Sequence, residues 1–204
     1  MRHPRHVGLA ALVLAATASS AFAQRSVNTG AGAGAGGFWE LGTDFIGFTS
    51  RSFKGGGSDT NFGFGSGNIR AGYFVTEVIS VEPTLTFSHN SSKSGGLSST
   101  TSSSTSLGLE VGLLYHLQSD NTQAQWYARP FFGLDNTSSK FGSSPSSSFN
   151  QNHVGVGVGY KMPSMMNKKF ALRMEAAWTD YLKSGANQGS TQLGVMAGVS
   201  VFTK

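Results

Sequence analysis

The chain reads as an all-β protein, an eight-stranded antiparallel up-and-down transmembrane β-barrel, and three observations predict it. Apolar and polar residues alternate with a period of two in segment after segment, while no segment after the first 23 residues shows a helical period. Charged residues make up 12% of the chain against 38% hydrophobic, where a soluble domain carries about 25% charged residues. Connections between the alternating segments are long at one end and short at the other, the arrangement of a barrel that crosses a membrane with strands.

The elements follow in order. "MRHPRH" is a positive leader, "VGLAALVLAATA" an apolar run, and Ala21-Phe22-Ala23 an A-x-A cleavage site. Residues 1–23 therefore read as a secretory signal peptide. The apolar run is too short for a spanning helix, which needs about 20 residues. Cleavage removes Arg2 and Arg5 from a formal net charge of +5, so the basic character carries little information about partners. Residues 24–37, ending in "NTGAGAGAGG", read as a Gly/Ala-rich linker with nothing to bury. Residues 38–204 form the barrel domain, with strands expected at 38–50, 62–75, 78–90, 105–117, 125–136, 152–162, 169–182 and 190–203. Connections after strands one, three, five and seven (51–61, 91–104, 137–151, 183–189) are long and rich in Ser, Thr, Gly and Asn. Those after strands two, four and six (76–77, 118–124, 163–168) are shorter. The chain has no cysteine, so an exported domain of this kind depends on backbone pairing and packing rather than disulfides.

Each strand has two distinct faces. In the third, Ile79, Val81, Pro83, Leu85 and Phe87 oppose Ser80, Glu82, Thr84, Thr86 and Ser88. In the seventh, Phe170, Leu172, Met174, Ala176 and Trp178 oppose Ala171, Arg173, Glu175, Ala177 and Thr179. Five alternate apolar positions match an apolar band roughly 25 Å tall on a tilted strand. The polar face carries Glu40, Asp44, Arg70, Glu82, Glu110, Arg129, Asp135, Lys161, Arg173 and Glu175, six acids and four bases among glycines and small polar residues.

Alternation alone does not say which face is inside. A soluble barrel of the lipocalin type or a two-sheet sandwich would bury the apolar face. A soluble exterior wants about a quarter or more charged residues, whereas this polar face is glycine-rich and charge-balanced. The apolar face instead carries Trp39, Tyr73, Tyr115, Trp126, Tyr160 and Trp178, mostly near strand ends, as an interfacial aromatic girdle does. The ten charges are therefore expected to line the lumen as a network of compensating pairs. An eight-stranded lumen is about filled by side chains, which disfavours a wide pore.

The segments "NIRAGYFVTEVISVEPTLTFSH", "LGLEVGLLYHL", "ARPFFGLD", "VGVGVGYKMP" and "FALRMEAAWTDYL" are similar to the outer membrane protein β-barrel domain family, which includes the transmembrane domain of outer membrane protein A. The resemblance covers 38–203 and implies a barrel in the outer membrane of a Gram-negative cell. Members usually end on an aromatic residue read by the insertion machinery; here Phe202 is third from the end.

Several motifs invite chemistry. Gly155, Gly157 and Gly159 imitate a phosphate loop, but they lie inside a strand and no helix follows. Their expected role is to leave space for large lumenal side chains. His89 and Ser91 in "FSHNSS" resemble the His-x-Ser-Asn segment of lipid A deacylases, with Ser92 where that segment has Asn; nucleophilic catalysis would also need a group to orient the histidine. His116 and His153 lack metal-ligand spacing and read as lumen lining. Pro83 and Pro130 fall mid-strand, where each should cost a ladder bond or force a bulge. No basic cluster or zinc spacing points to nucleic acid. The expectation is a monomeric, non-enzymatic outer-membrane barrel without cofactor or metal. Its role is structural or surface interaction through the long loops; a narrow channel and a lipid A-modifying enzyme are the alternatives. Expected partners are outer-membrane lipid and lipopolysaccharide, the barrel insertion machinery, and host or environmental surface ligands at the loops.

Overall fold

The computed structural model describes residues 37–64, 67–94, 100–117, 124–142, 144–164, 169–184 and 189–203. The leader and nearly all of the linker lie outside the described residues. Nine strand segments follow one another: β1 (Trp39–Phe53), β2 (Ser58–Phe64), β3 (Asn68–Phe74), β4 (Ile79–Ser94), β5 (Thr100–His116), β6 (Gln125–Phe141), β7 (Ser147–Pro163), β8 (Phe170–Tyr181) and β9 (Ser190–Phe202). Every pairing is antiparallel. The β1–β9 ladder, from Glu40↔Phe202 to Phe53↔Ser190, closes the sheet into an eight-stave barrel.

The expected second strand, 62–75, is two segments. β2 pairs with the outer half of β1 (Ile46↔Phe64 to Ser52↔Ser58), and β3 with its inner end (Trp39↔Tyr73 to Gly42↔Arg70). The expected long loop 51–61 is a tight turn, because pairing continues to Ser52↔Ser58. Gly56 and Gly57 (φ 99° and 91°) supply the left-handed backbone that this turn requires. β4 to β7 also run outward past the end of their apolar alternation at Phe87, Leu107, Leu134 and Val154, as paired sheet made mostly of Ser, Thr and Asn. The strands expected from alternation end near where the apolar alternation ends. Backbone pairing needs no apolar face, and Thr and cross-strand hydroxyl bonds sustain it. Ser106–Thr137 (3.0 Å) is one such bond.

Both mid-strand prolines interrupt one ladder and spare the other. The β3–β4 register passes from Arg70↔Thr84 to Tyr73↔Val81, omitting the rungs at Pro83 and Glu82, while Pro83↔Val111 remains on the β5 side. The β5–β6 register passes from Gly112↔Phe131 to Tyr115↔Ala128, omitting the rung at Pro130, while Pro130↔Val156 remains. A proline has no N–H to donate, so it can complete a ladder on one side only.

Burial runs opposite to a water-soluble protein. Glu40, Glu82 and Arg173 are 1%, 1% and 3% exposed, whereas Leu109 and Met174 are 50% and 53% exposed. Such an arrangement is stable only where the outside is hydrocarbon. Trp39 against Tyr73 (5.0 Å between centroids) and Trp126 against Tyr160 (4.9 Å) mark the inner rim of the lipid-facing band. The inner end of the lumen is closed by Phe38, Phe74, Ala171 and Phe202, with Phe38 stacked on Phe74 at 4.2 Å. Phe202 points inward here, as its place in the alternation requires.

Candidate functional site

Strand alternation turns charged residues from seven staves into one narrow lumen. Arg173 on β8 reaches across to β4 and grips Glu82 with two nitrogens (Nη1–Oε2 2.5 Å, Nη2–Oε1 3.0 Å). Its Nη2 also donates to Glu175 Oε2 (2.6 Å), and its Nε to the Tyr127 hydroxyl (2.5 Å). That hydroxyl donates to Glu175 Oε2 (2.7 Å). Arg129 donates to Glu175 Oε1 from Nε (3.0 Å) and Nη2 (2.6 Å), and pairs through Nη1 with Glu110. Arg70 joins Glu82 (3.6 Å) to Asp44 (3.0 Å), and Asn68 holds Asp44 through Nδ2 at 2.6 Å. His153 bridges Glu110 (Nε2, 3.2 Å) and Asp135 (Nδ1, 3.0 Å).

The result is an unbroken chain: Asp44, Arg70, Glu82, Arg173, Glu175, Arg129, Glu110, His153, Asp135. Lys161 and Glu40 form a separate pair at 2.5 Å nearer the inner end, and Lys161 Nζ lies 5.2 Å from the Tyr127 ring. Nine of the ten residues singled out in the sequence thus have a Lys, Arg, Asp or Glu of opposite charge within reach, and Asp135 has His153. Pairing answers the demand that buried charges make, although Arg70 Nε has no hydrogen-bond partner among the described residues. Because β4 and β8 stand on opposite walls, the Arg173–Glu82 pair bridges the lumen.

The glycines of β7 face this network. A Cβ on Gly157 would lie 2.6 Å from Glu175 Oε1, one on Gly159 would strike the Tyr127 ring, and one on Gly155 the Phe131 ring. None of the three has a positive φ, so they are there for space rather than backbone freedom.

Above the network the lumen opens. A cavity of 210 Å³ among Arg70, Glu110, Arg129, His153 and their neighbours shares Thr86, Asp135 and Tyr181 with an outer cavity of 470 Å³. The outer cavity contains a charge missing from the ten, Arg51. Between Asp44 and Ile46 the β1–β9 register slips, leaving Phe45 as an extra residue. Beyond this bulge odd-numbered residues face inward, so Thr49, Arg51 and Phe53 line the lumen. Unbroken alternation from Glu40 and Asp44 would turn Arg51 outward. A bulge leaves no clear mark in sequence. His153 was legible as a lining residue; its two carboxylate partners required the register.

His89 and Ser91 sit on the outer, exposed side. His89 Nδ1 bonds the Thr105 hydroxyl (2.9 Å). The residues in its row on β5, β6 and β7 are Thr105, Ser138 and Ser148, so no carboxylate in that row orients the imidazole. Among the described residues no group of three or more His, Asp or Glu is arranged to hold a metal ion.

A lipid-facing antiparallel barrel with a charge-filled lumen agrees with the family whose model matches residues 9–200, the outer membrane protein beta-barrel domain. The chain belongs to that family. It is an outer-membrane protein. Solved structures share its fold: Neisserial surface protein A (20% identity, TM-score 0.56, covering 82% of this chain and 98% of that one); Ail of Yersinia pestis in complex with the heparin analogue sucrose octasulfate (12%, 0.53, 82% and 99%); and OprG of Pseudomonas aeruginosa (15%, 0.51, 84% and 97%). No curated protein matches the sequence.

Proposed function

We propose that this outer-membrane barrel is a non-enzymatic, monomeric carrier of an extracellular interaction surface, released from a leader of residues 1–23 and preceded by a linker of 24–37. The observation that carries the reading is the contrast between the two ends of the molecule. The lumen is spanned by Arg173–Glu82 and sealed below by Phe38, Phe74 and Phe202. The outer end carries hydrogen-bonding sheet beyond the apolar band. Nothing so filled serves as an open conduit, while polar strands held clear of the membrane have few uses other than contact. Outward-facing His89, Thr105, Ser138 and Asn150 on that extension would meet lipopolysaccharide sugars. Lys140 on the outer part of β6 supplies a cation for acidic surface ligands, whereas Lys54 is paired with Asp180 at 2.8 Å. Ail, of the same fold, carries a heparin analogue in its solved structure, which motivates testing such ligands here. Insertion through the barrel assembly machinery belongs to the same reading.

Fractionation tests the membrane part: the protein should require detergent for extraction and show a heat-dependent gel shift. The surface part is tested by binding of purified lipopolysaccharide and sulfated glycans to intact cells with and without the protein; equal binding in both would contradict it. The enzyme alternative is tested by lipid A mass spectrometry, where acyl loss that disappears in Ser91→Ala would displace the non-enzymatic reading.

A further inference from the structure

The bulge at Phe45 brings Arg51 and Phe53 into the outer cavity, and the surroundings of that cavity specify a ligand class. Its aromatic side is built from β1, β7 and β8 by Phe53, Phe149 and Tyr181. The Tyr181 ring is already engaged, with the Arg51 guanidinium 4.2 Å above it and the His153 ring at 5.1 Å. The Phe53 ring also lies under the Arg51 guanidinium, at 5.4 Å, whereas Phe149 remains 38% exposed.

The charges of the cavity are committed to the protein. Arg51 donates from Nε to Ser190 Oγ (2.7 Å) and from Nη2 to Gln151 Oε1 (3.3 Å). Asp135 is paired with His153 at 3.0 Å. Arg51 is held by neutral partners, so an anion would compete with Ser190 and Gln151 for its guanidinium, and a cation would compete with His153 for Asp135. The hydroxyls are less committed. Ser106 and Thr137 bond each other at 3.0 Å, but each hydroxyl offers one donor and two acceptor sites. One inward row runs Ser106↔Thr137↔Phe149, with neighbouring positions about 5 Å apart. A free aromatic face thus adjoins two hydroxyls that both donate and accept. That combination suits a ring with an apolar C–H face and hydroxyls at its edge. At 470 Å³ the cavity falls in the roughly 300–1,000 Å³ range of small-ligand sites.

We propose that the outer vestibule binds an uncharged saccharide unit, stacked on Phe149 with its hydroxyls on Thr137 and Ser106. The inference deepens the surface-interaction reading and rests on it, since the site is reached from outside the cell and leads to a closed lumen.

The test is NMR titration of the isotope-labelled barrel, refolded in detergent micelles, with maltose, lactose and N,N′-diacetylchitobiose, and with sodium sulfate and glycine as charged comparisons. The expected result is saturable shifts at Phe149, Thr137 and Ser106 with at least one neutral sugar. Phe149→Ala should weaken that binding roughly five- to tenfold, and Phe149→Tyr should retain it. Thr137→Val, which keeps shape and removes the hydroxyl, should weaken it as well and stands in if Phe149→Ala loses its heat-dependent gel shift. Capture of the protein by the bound sugar immobilised through its reducing end would assign the site to the end of a glycan chain; binding of the free sugar alone would assign it to a soluble saccharide. Shifts with sulfate or glycine only, no shifts with any neutral sugar, or neutral-sugar binding indifferent to both substitutions would overturn the proposal. A failed titration with a normal gel shift, while cells carrying the protein still bind more glycan than cells without it, would overturn this inference alone.

Discussion

Glu175 shows how much of the molecule is decided at single residues. Its carboxylate accepts from Arg129 Nε and Nη2, Arg173 Nη2 and the Tyr127 hydroxyl, and a wall of glycine leaves it room. The group has nowhere to go, so a side chain at position 157 must displace a pinned charge rather than a loose end. Gly157→Leu should therefore cost at least about 1–3 kcal/mol as overpacking, while Val156→Leu on the lipid side should cost little. Urea titration of the heat-shifted band compares the two, and equal tolerance would contradict the packing role. Arg173→Met removes the cation that holds Glu82 and Glu175 together. Leaving buried charge uncompensated should cost about 3–5 kcal/mol in the same assay; a change under about 1 kcal/mol would mean that the pair is solvated rather than buried. These residues were legible because alternation has a period of two, and one inward position, once labelled, labels the rest of its strand. The partner of each charge was not legible, because partners lie on different staves and depend on register.

At the scale of elements, β1 marks the limit of that reading. Its inner half follows alternation, and its outer half is rotated by one residue at Phe45, which moves Thr49, Arg51 and Phe53 to the lumen. The absence of cysteine from the chain makes this directly testable. Thr49→Cys should react with a small water-soluble thiol reagent entering from outside, and Phe48→Cys, facing lipid, should not. The opposite pattern would mean an unbulged strand. β4 to β7 illustrate a second limit: their Ser/Thr extensions carry no apolar period and read as loops, yet hydroxyl and backbone pairing makes them strands. Pro83 and Pro130 were legible as faults in the ladder. Which ladder each one breaks depended on which neighbour its nitrogen faces.

For the whole molecule, the governing fact is the inversion of burial. Half-exposed leucines outside and glutamates at 1% exposure inside define the medium, and in the proposed role a lumen crossed by ion pairs resists flow while a lipid-facing wall anchors the outer sheet. Removing two acids from the network should loosen it: Glu82→Gln with Glu110→Gln should raise conductance above the unmodified protein if the charges fill the lumen, and unchanged conductance would place the obstruction at the inner Phe38–Phe74–Phe202 cluster. Barrel, membrane and lumenal charge were legible from composition, alternation and connection length. The vestibule was not, because it depends on one bulge and on rows that cross four strands. Closure of the barrel by its own ion pairs can be read from single-channel recording of the unmodified refolded protein in a planar bilayer. No steady open-channel current is expected; a stable pore conductance in the unmodified protein would show that the ion pairs leave the lumen open.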